Sequence, residues 1–313
     1  MNALDALRAG GKPALARALA LIESDPDGAK TTALLDAAWR APRAHVVGLT
    51  GPPGVGKSTL LASLIRAWRS GDPARSVAVL AVDPSSRRTG GALLGDRARL
   101  DTDPDDEGVF VRSMAARDRL GGLAAVTVAA MVLARALYDV VVIETVGVGQ
   151  SETDVADAAD SVVFCVQPGA GDSLQFMKAG IVEIPHIAVV TKSDLGSVAD
   201  RARSDVVGAL ALAARDAAWT VPVLAVSASR REDVAELAAA IDTHWSHLGE
   251  GARLDAARAT QAETWLVQAV RERFGRDGLA RAGDLGLAGE SPFARMADVA
   301  RQLTRPRQPD MLD

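Results

Sequence analysis

From residue 41 onward, short runs of apolar and β-branched residues alternate with longer amphipathic ones. HVVGLT (45–50), SVAVLAV (76–82), VFVR (109–112), VVVIET (140–145), SVVFCVQ (161–167), HIAVVT (186–191) and VPVLAVS (221–227) read as strands. They are apolar almost without interruption, the pattern of strands covered on both faces, and this implies a parallel sheet between helical layers. Helical spacing over 58–69, 120–137, 172–180, 198–218 and 231–247 supplies those layers. The alternation predicts an α/β fold, a doubly wound and mostly parallel sheet.

The flanks differ. In residues 2–40, Leu4, Leu7, Leu15, Leu19 and Ile22 recur near helical spacing, broken at Gly10 and Gly11. Beyond the sheet region, one convincing helix spans 252–274, followed by a Gly-, Arg- and Pro-rich tail. The expected organisation is an N-terminal helical extension (1–40), an α/β domain (41–248) and a C-terminal helical arm (249–313). The arm would either join two copies or fold onto its own domain.

Composition narrows the partners. With 48% hydrophobic residues and a net charge of −5 the chain can build a core, and the charge argues against a nucleic-acid backbone as its main partner while leaving room for a local basic site. The single cysteine, Cys165, sits in an apolar run and reads as a buried hydrophobe in a reducing compartment. The stretch GGLAAVTVAAMVLARALYD is interrupted by Arg135 before it reaches the ~20 residues of a membrane span. It reads as a buried helix in a soluble, cytoplasmic protein.

Candidate chemistry begins directly after the first strand. GPPGVGKS (51–58) matches G-x-x-x-x-G-K-S between a strand and a helix. Gly51 and Gly56 let consecutive amides point inward, and the helix adds its positive dipole end. Lys57 brings a charge to the β- and γ-phosphates, and Ser58 a hydroxyl to Mg²⁺. Pro53, Gly54, Val55 and Thr59 complete the nucleotide-binding stretch.

A triphosphate site also needs acids at neighbouring strand ends. Asp83 and Glu144 occupy such positions, and Asp96 lies in a Gly-rich connection. Asp83 and Glu144 can serve Mg²⁺ directly or through water, and Asp96 is a third candidate acid. With Lys57, Asp83 and Glu144 form the expected catalytic set. Gly147 can offer its N–H to the γ-phosphate in a segment that moves on hydrolysis.

The end of HIAVVTKSD supplies a base reader. A carboxylate at Asp194 can accept both N1–H and N2–H₂ of guanine, a donor pair adenine lacks. At about 1.5–3 kcal/mol per charge-assisted bond, losing two favours GTP over ATP by about two to three orders of magnitude. Thr191 precedes the reader, Lys192 can cover the base with its aliphatic stem, and Ser227 and Ala228 stand where a backbone N–H could meet guanine O6.

The segments GPPGVGKS, DPSSRRTGGALLGD, VRSMAARDRLGGL, ETVGVGQSE, PGAGDSLQFMKAG and TKSD occur in one order. In this the chain resembles the methylmalonyl-CoA mutase-associated GTPases (MeaB, with the bacterial proteins labelled transport kinases and the methylmalonic aciduria type A protein) over roughly residues 40–250. The resemblance implies a GTP-hydrolysing chaperone of an adenosylcobalamin-dependent acyl-CoA mutase, gating cofactor loading and protecting the mutase. It further implies a homodimer cycling between GTP and GDP with Mg²⁺. It makes Gly169–Lys178 a third switch segment, with Asp172, Gln175 and Lys178 as its polar candidates. GTPases commonly carry Asn where this chain has Thr191.

Two other enzymatic readings compete. A metallochaperone GTPase would need soft or imidazole ligands. Here only His244 and His247 are neighbours, at i,i+3 spacing that reads as a solvated helix face. A P-loop kinase would need an acceptor site, for which no motif is evident. A non-hydrolysing interaction module is disfavoured by the intact Lys57, Ser58, Asp83 and Glu144.

Overall fold

The computed structural model describes residues 3–83, 100, 103, 105–115, 123–145, 154–169, 184–213 and 218–304, leaving aside the side chains of Asp83, Ala115 and Ala213. Among these residues seven strands form one sheet: β1 (His45–Thr50), β2 (Val77–Asp83), β3 (Val109–Ala115), β4 (Val140–Glu144), β5 (Ser161–Val166), β6 (Ile187–Thr191) and β7 (Val223–Val226). Their order is β3-β2-β4-β1-β5-β6-β7, and every pairing is parallel. The doubly wound α/β reading therefore holds.

Alternate residues of each strand enter opposite cores. Val46, Leu80, Val141, Ile143 and Val162 face one layer, which contains the N-terminal helices α1 (Ala3–Ala9), α2 (Gly11–Ser24) and α3 (Ala29–Trp39) together with α5 (Ala125–Leu137). Val47, Leu49, Val79, Val142, Val163 and Val189 face α4 (Lys57–Arg69) and α7 (Val234–Gly249). The helix α6 (Ser197–Ala213) covers the outer part of β5 and β6 through Ala199, Ala202 and Val206. The apolar stretch interrupted by Arg135 is indeed a helix packed inside this fold, and among the described residues no helix is long and apolar enough to cross a membrane.

Two local features direct chain paths toward the site. At Gly48, in the middle of β1, a Cβ would lie 2.5 Å from Val155 Cγ2, so the 3-10 turn Val155–Asp157 can sit directly on the strand. At Gly51, where φ is +135°, a Cβ would come within 2.3 Å of the Cys165 carbonyl, so only glycine lets the chain leave β1 this close to β5.

The C-terminal region departs from expectation. The helix α8 (Arg253–Ala282) continues past 274, with non-helical geometry at Gly275, and the tail contains a further helix, α9 (Pro292–Thr304). Ser291 accepts a hydrogen bond from the Ala294 amide and Pro292 opens the helix, a start signal that the surrounding Gly and Arg obscured. The α9 residues Val299 and Leu303 pack with Leu266 and Val270 of α8, and Phe293 joins the core beneath α3. α8 is also bonded to the sheet. Arg258 grips both oxygens of the buried Asp160 at 2.8 and 2.7 Å and donates to the Ala44 carbonyl at 2.9 Å.

Candidate nucleotide site

The site lies at the carboxyl ends of the strands beside β1, where the chain turns to opposite sides of the sheet. Open α/β sheets bind ligands at such a crevice. Between β1 and α4 the loop runs through Gly51, Gly54 and Gly56 with φ of 135°, 75° and 104°. A Cβ at Gly54 or Gly56 would meet nothing within 4 Å, so these glycines are required by backbone conformation, which L side chains rarely adopt, rather than by crowding. Alternation of left- and right-handed residues turns successive amides to one side. Gly56 caps α4 without a side-chain bond, leaving the first-turn amides to whatever the loop encloses.

Lys57 is 7% exposed, and its ammonium donates to the carbonyls of Gly51 at 2.7 Å and Pro52 at 3.0 Å. The Ser58 hydroxyl donates to Glu144 Oε1 at 2.6 Å, joining the first turn of α4 to the end of β4. Beneath them Thr145 Oγ1 donates to Thr50 Oγ1 at 2.9 Å, a buried contact between the exits of β4 and β1. Asp83 ends β2, two strands from β1. Its side chain, with Asp96, Gly147, Asp172, Gln175 and Lys178, lies outside the described residues.

The residues expected to read the base meet the same loop from the other side. Thr191 donates to the carbonyl of Val55 at 2.8 Å, and the carbonyl of Val166 lies 3.2 Å from the same hydroxyl. Lys192, left-handed at φ 55°, reaches the Gly54 carbonyl at 3.2 Å. Ser227 donates to Asp194 Oδ1 at 2.7 Å, which is the main reason the Asp194 carboxyl is held below the usual carboxylate range. From α4, Ser63 Oγ lies 3.2 Å from the carbonyl of Ala228. The phosphate loop, the acid at the end of β4 and the TKSD turn are thus one hydrogen-bonded unit.

The family model described as methylmalonyl Co-A mutase-associated GTPase MeaB matches residues 15–281. The chain belongs to this family. Membership carries a P-loop GTPase core and implies a guanine-nucleotide site. A Pyrococcus horikoshii protein with a provisional GTPase name is 42% identical over 265 residues, covering 83% of this chain and 82% of its own. The mouse mitochondrial methylmalonic aciduria type A homolog is 37% identical over 230 residues, covering 72% of this chain and 55% of its own. Among solved structures, that of an LAO/AO transport system kinase superposes with a TM-score of 0.67 at 27% identity, covering 95% of this chain and 96% of that one. The nickel complex of HypB from Helicobacter pylori superposes with a TM-score of 0.51 at 17% identity over 70% of this chain and 95% of that one, a likeness of fold alone.

The histidines of this MeaB-family chain correct one expectation. His244 is 1% exposed, not on a solvated face. It lies near the amino ends of the strands, away from the phosphate loop. There the Ser161 hydroxyl sits 2.6 Å from both His45 Nε2 and His244 Nδ1, so one ring accepts its proton and the other donates. His186 packs 4.4 Å from His244 and accepts from the Val162 amide at 3.0 Å. Burial drives the pKa of His45 down to about 4 and that of His244 to about 3. Among the described residues no three His, Cys, Asp or Glu side chains gather as a metal site. Cys165 is buried beneath the phosphate loop, its thiol pushed up to about 12 by desolvation, so it packs rather than reacts.

Several positioning groups escaped the sequence reading: Ser63, the Thr50–Thr145 pair and the Asp160–Arg258 pair. Each joins residues far apart in sequence through common residue types, so no local motif marks it.

Proposed function

We propose that the protein hydrolyses GTP and uses the cycle as a switch for an adenosylcobalamin-dependent acyl-CoA mutase. The observation that carries the nucleotide reading is the bonding of one glycine loop to Glu144 through Ser58 and to the TKSD turn through Thr191. A phosphate cradle and a guanine-selective carboxylate belong to one site on that arrangement.

Ser58 and Glu144 are hard oxygen donors bonded together at the first turn of α4, the donor set Mg²⁺ prefers. They would hold the ion with Asp83 and Asp96. When bound, magnesium neutralises charge on the β- and γ-phosphate oxygens. The chain's own residues do the rest. Lys57 releases its loop carbonyls for phosphate oxygens, and the amides of Gly54 to Thr59 cradle the tail. Gly147 senses the γ-phosphate, and Asp194 reads guanine. Water attacks the γ-phosphorus, the bond to the β–γ bridging oxygen breaks, and GDP and phosphate leave. Catalysis by positioning and charge stabilisation asks for no covalent participation by the protein.

The mutase partner, to which a switch segment with Asp172, Gln175 and Lys178 would carry the nucleotide state, is supported by the family description and by the methylmalonic aciduria type A relatives. A homodimer in the cytoplasm, its three regions divided near residues 40 and 248, completes the reading. The test is GTP turnover by the purified full chain with and without a cobalamin-dependent acyl-CoA mutase. Turnover that rises with the mutase, and capture of the mutase by only one nucleotide state, is the expected result. Hydrolysis without response to such a mutase rejects the partner, and absence of guanine-nucleotide binding rejects the whole.

A further inference from the structure

Ser63 belongs to no motif of the site, yet its hydroxyl bonds the phosphate helix to the turn that follows β7. It lies on the second turn of α4 and is 5% exposed. Its hydroxyl lies 3.2 Å from the Thr59 carbonyl, the ordinary back-bond of a helical serine, and 3.2 Å from the Ala228 carbonyl, 165 residues away. Only the second contact is particular to this place in the fold.

The turn it reaches has an uncommon backbone course. Arg231 and Asp233 adopt φ of 58° and 60° without being glycine. The turn is held at one side by the reciprocal backbone bonds of Ser227 and Glu232, at 3.3 and 3.0 Å, and by Ser227 on Asp194. The Ala228 carbonyl takes the Arg231 amide at 3.3 Å as well as the Ser63 hydroxyl. The Ala228 N–H lies in the peptide plane of the Ser227 carbonyl, which the Glu232 amide holds at 3.0 Å, and holding the Ala228 carbonyl fixes the next plane, so that together the two bonds limit rotation about the Ala228 Cα and the direction in which its N–H points.

We propose that Ser63 is a positioning residue for guanine recognition, its hydroxyl fixing the Ala228 carbonyl so that the Ala228 amide meets the O6 of the base. The inference rests on the GTP reading above and adds a determinant of base selectivity to it. Around the contact, Leu60, Leu64, Val234 and Leu237 lie in one buried cluster, so α4 and α7 stay packed without the hydroxyl. Removing it therefore loosens one turn and leaves the helix in place.

The experiment compares GDP with the diphosphate of 2-aminopurine riboside, which lacks O6, on the full chain and its Ser63→Ala variant. The analogue also lacks N1–H, but that loss is common to both proteins and cancels. Expected is a GDP affinity weakened about tenfold, ~1.4 kcal/mol, an analogue affinity changed less than about twofold, and saturated GTP turnover changed less than about twofold. Ser63→Thr, which keeps the hydroxyl, should restore the gap between the two ligands. Equal weakening of both ligands would reduce Ser63 to a packing role. Unchanged GDP binding, or a gap that Ser63→Thr leaves closed, overturns the proposal too. If the unmodified chain prefers GDP no more than ADP, the guanine reading fails first and this inference with it.

Discussion

Thr191 and Val55 are joined by a 2.8 Å hydrogen bond from the threonine hydroxyl to the valine carbonyl, fastening the last residue of β6 to the floor of the phosphate loop. The same hydroxyl faces the Val166 carbonyl at 3.2 Å, so one side chain spans β5, β6 and the loop. Thr191→Val keeps the volume and strands buried acceptors, at a cost of about 1–3 kcal/mol. Urea unfolding should register that loss and should find Thr191→Ser close to the parent. GDP affinity should fall in the valine variant in parallel. A valine variant as stable as the parent would remove the strut from the account.

Lys57→Ala tests the cradle itself. The ammonium bonds two loop carbonyls, and thermal unfolding should move by only a few degrees. GTP turnover should drop about 10²–10³-fold, the usual loss for a single group placed on developing charge. Turnover that persists at the parent level would dismiss the assigned role.

Glu144→Gln keeps an oxygen for the Ser58 hydroxyl while deleting the charge. The expected signature is a higher magnesium requirement, with half-maximal GTP turnover moved up about tenfold and full activity recovered at saturating ion. A magnesium titration superimposable on the parent would take Glu144 out of the metal site.

Arg258→Ala leaves Asp160 buried without its counter-charge and should cost about 3–5 kcal/mol in urea unfolding. The double change Arg258→Met with Asp160→Asn should cost clearly less, because it removes the buried charge with its partner. Additive losses would mean that the two residues act independently.

The neutral histidine cluster gives stability a pH dependence of definite sign. For His45 and His244 burial outweighs every other influence, partly offset at His45 by Asp160 and Asp242. Their folded pKa values, about 4 and about 3, lie below the unfolded 6.5, so the unfolded chain binds more protons in this range. The contribution is therefore intact above pH 6.5 and declines on acidification toward those folded values, by at most ~1.4 kcal/mol per pH unit for each ring. Unfolding free energies at pH 7.5, 6.0 and 5.0 should fall in that order, and His45→Gln should flatten the slope. An equally steep slope in the variant would assign it to other groups.

The strands were legible because residues such as Val79, Val142 and Val189 leave no polar face, and that pattern has few interpretations. The phosphate loop was legible because its backbone geometry demands glycine at fixed spacing. By contrast, α9 was hidden because its apolar positions 293, 299 and 303 are separated by Arg, Asp and Gln and preceded by a glycine-rich turn. His244 was misread because i,i+3 spacing tells which residues share a helix face and not what that face packs on. Ser63 and Thr145 could not be recognised at all, since a hydroxyl's meaning depends on a carbonyl or hydroxyl brought to it by the fold.

The grip of Arg258 on Asp160 has a consequence for how the molecule is made. Asp160 leaves the ribosome 98 positions before its counter-ion. Until then the carboxylate must stay hydrated, and a hydrated acid resists closure of the edge where β1 and β5 begin. The nascent protein should hold this seam ajar, with the phosphate loop already synthesised, and seal it only when α8 emerges. A chain stalled before residue 258 should therefore have every described strand made and Asp160 still without its counter-charge.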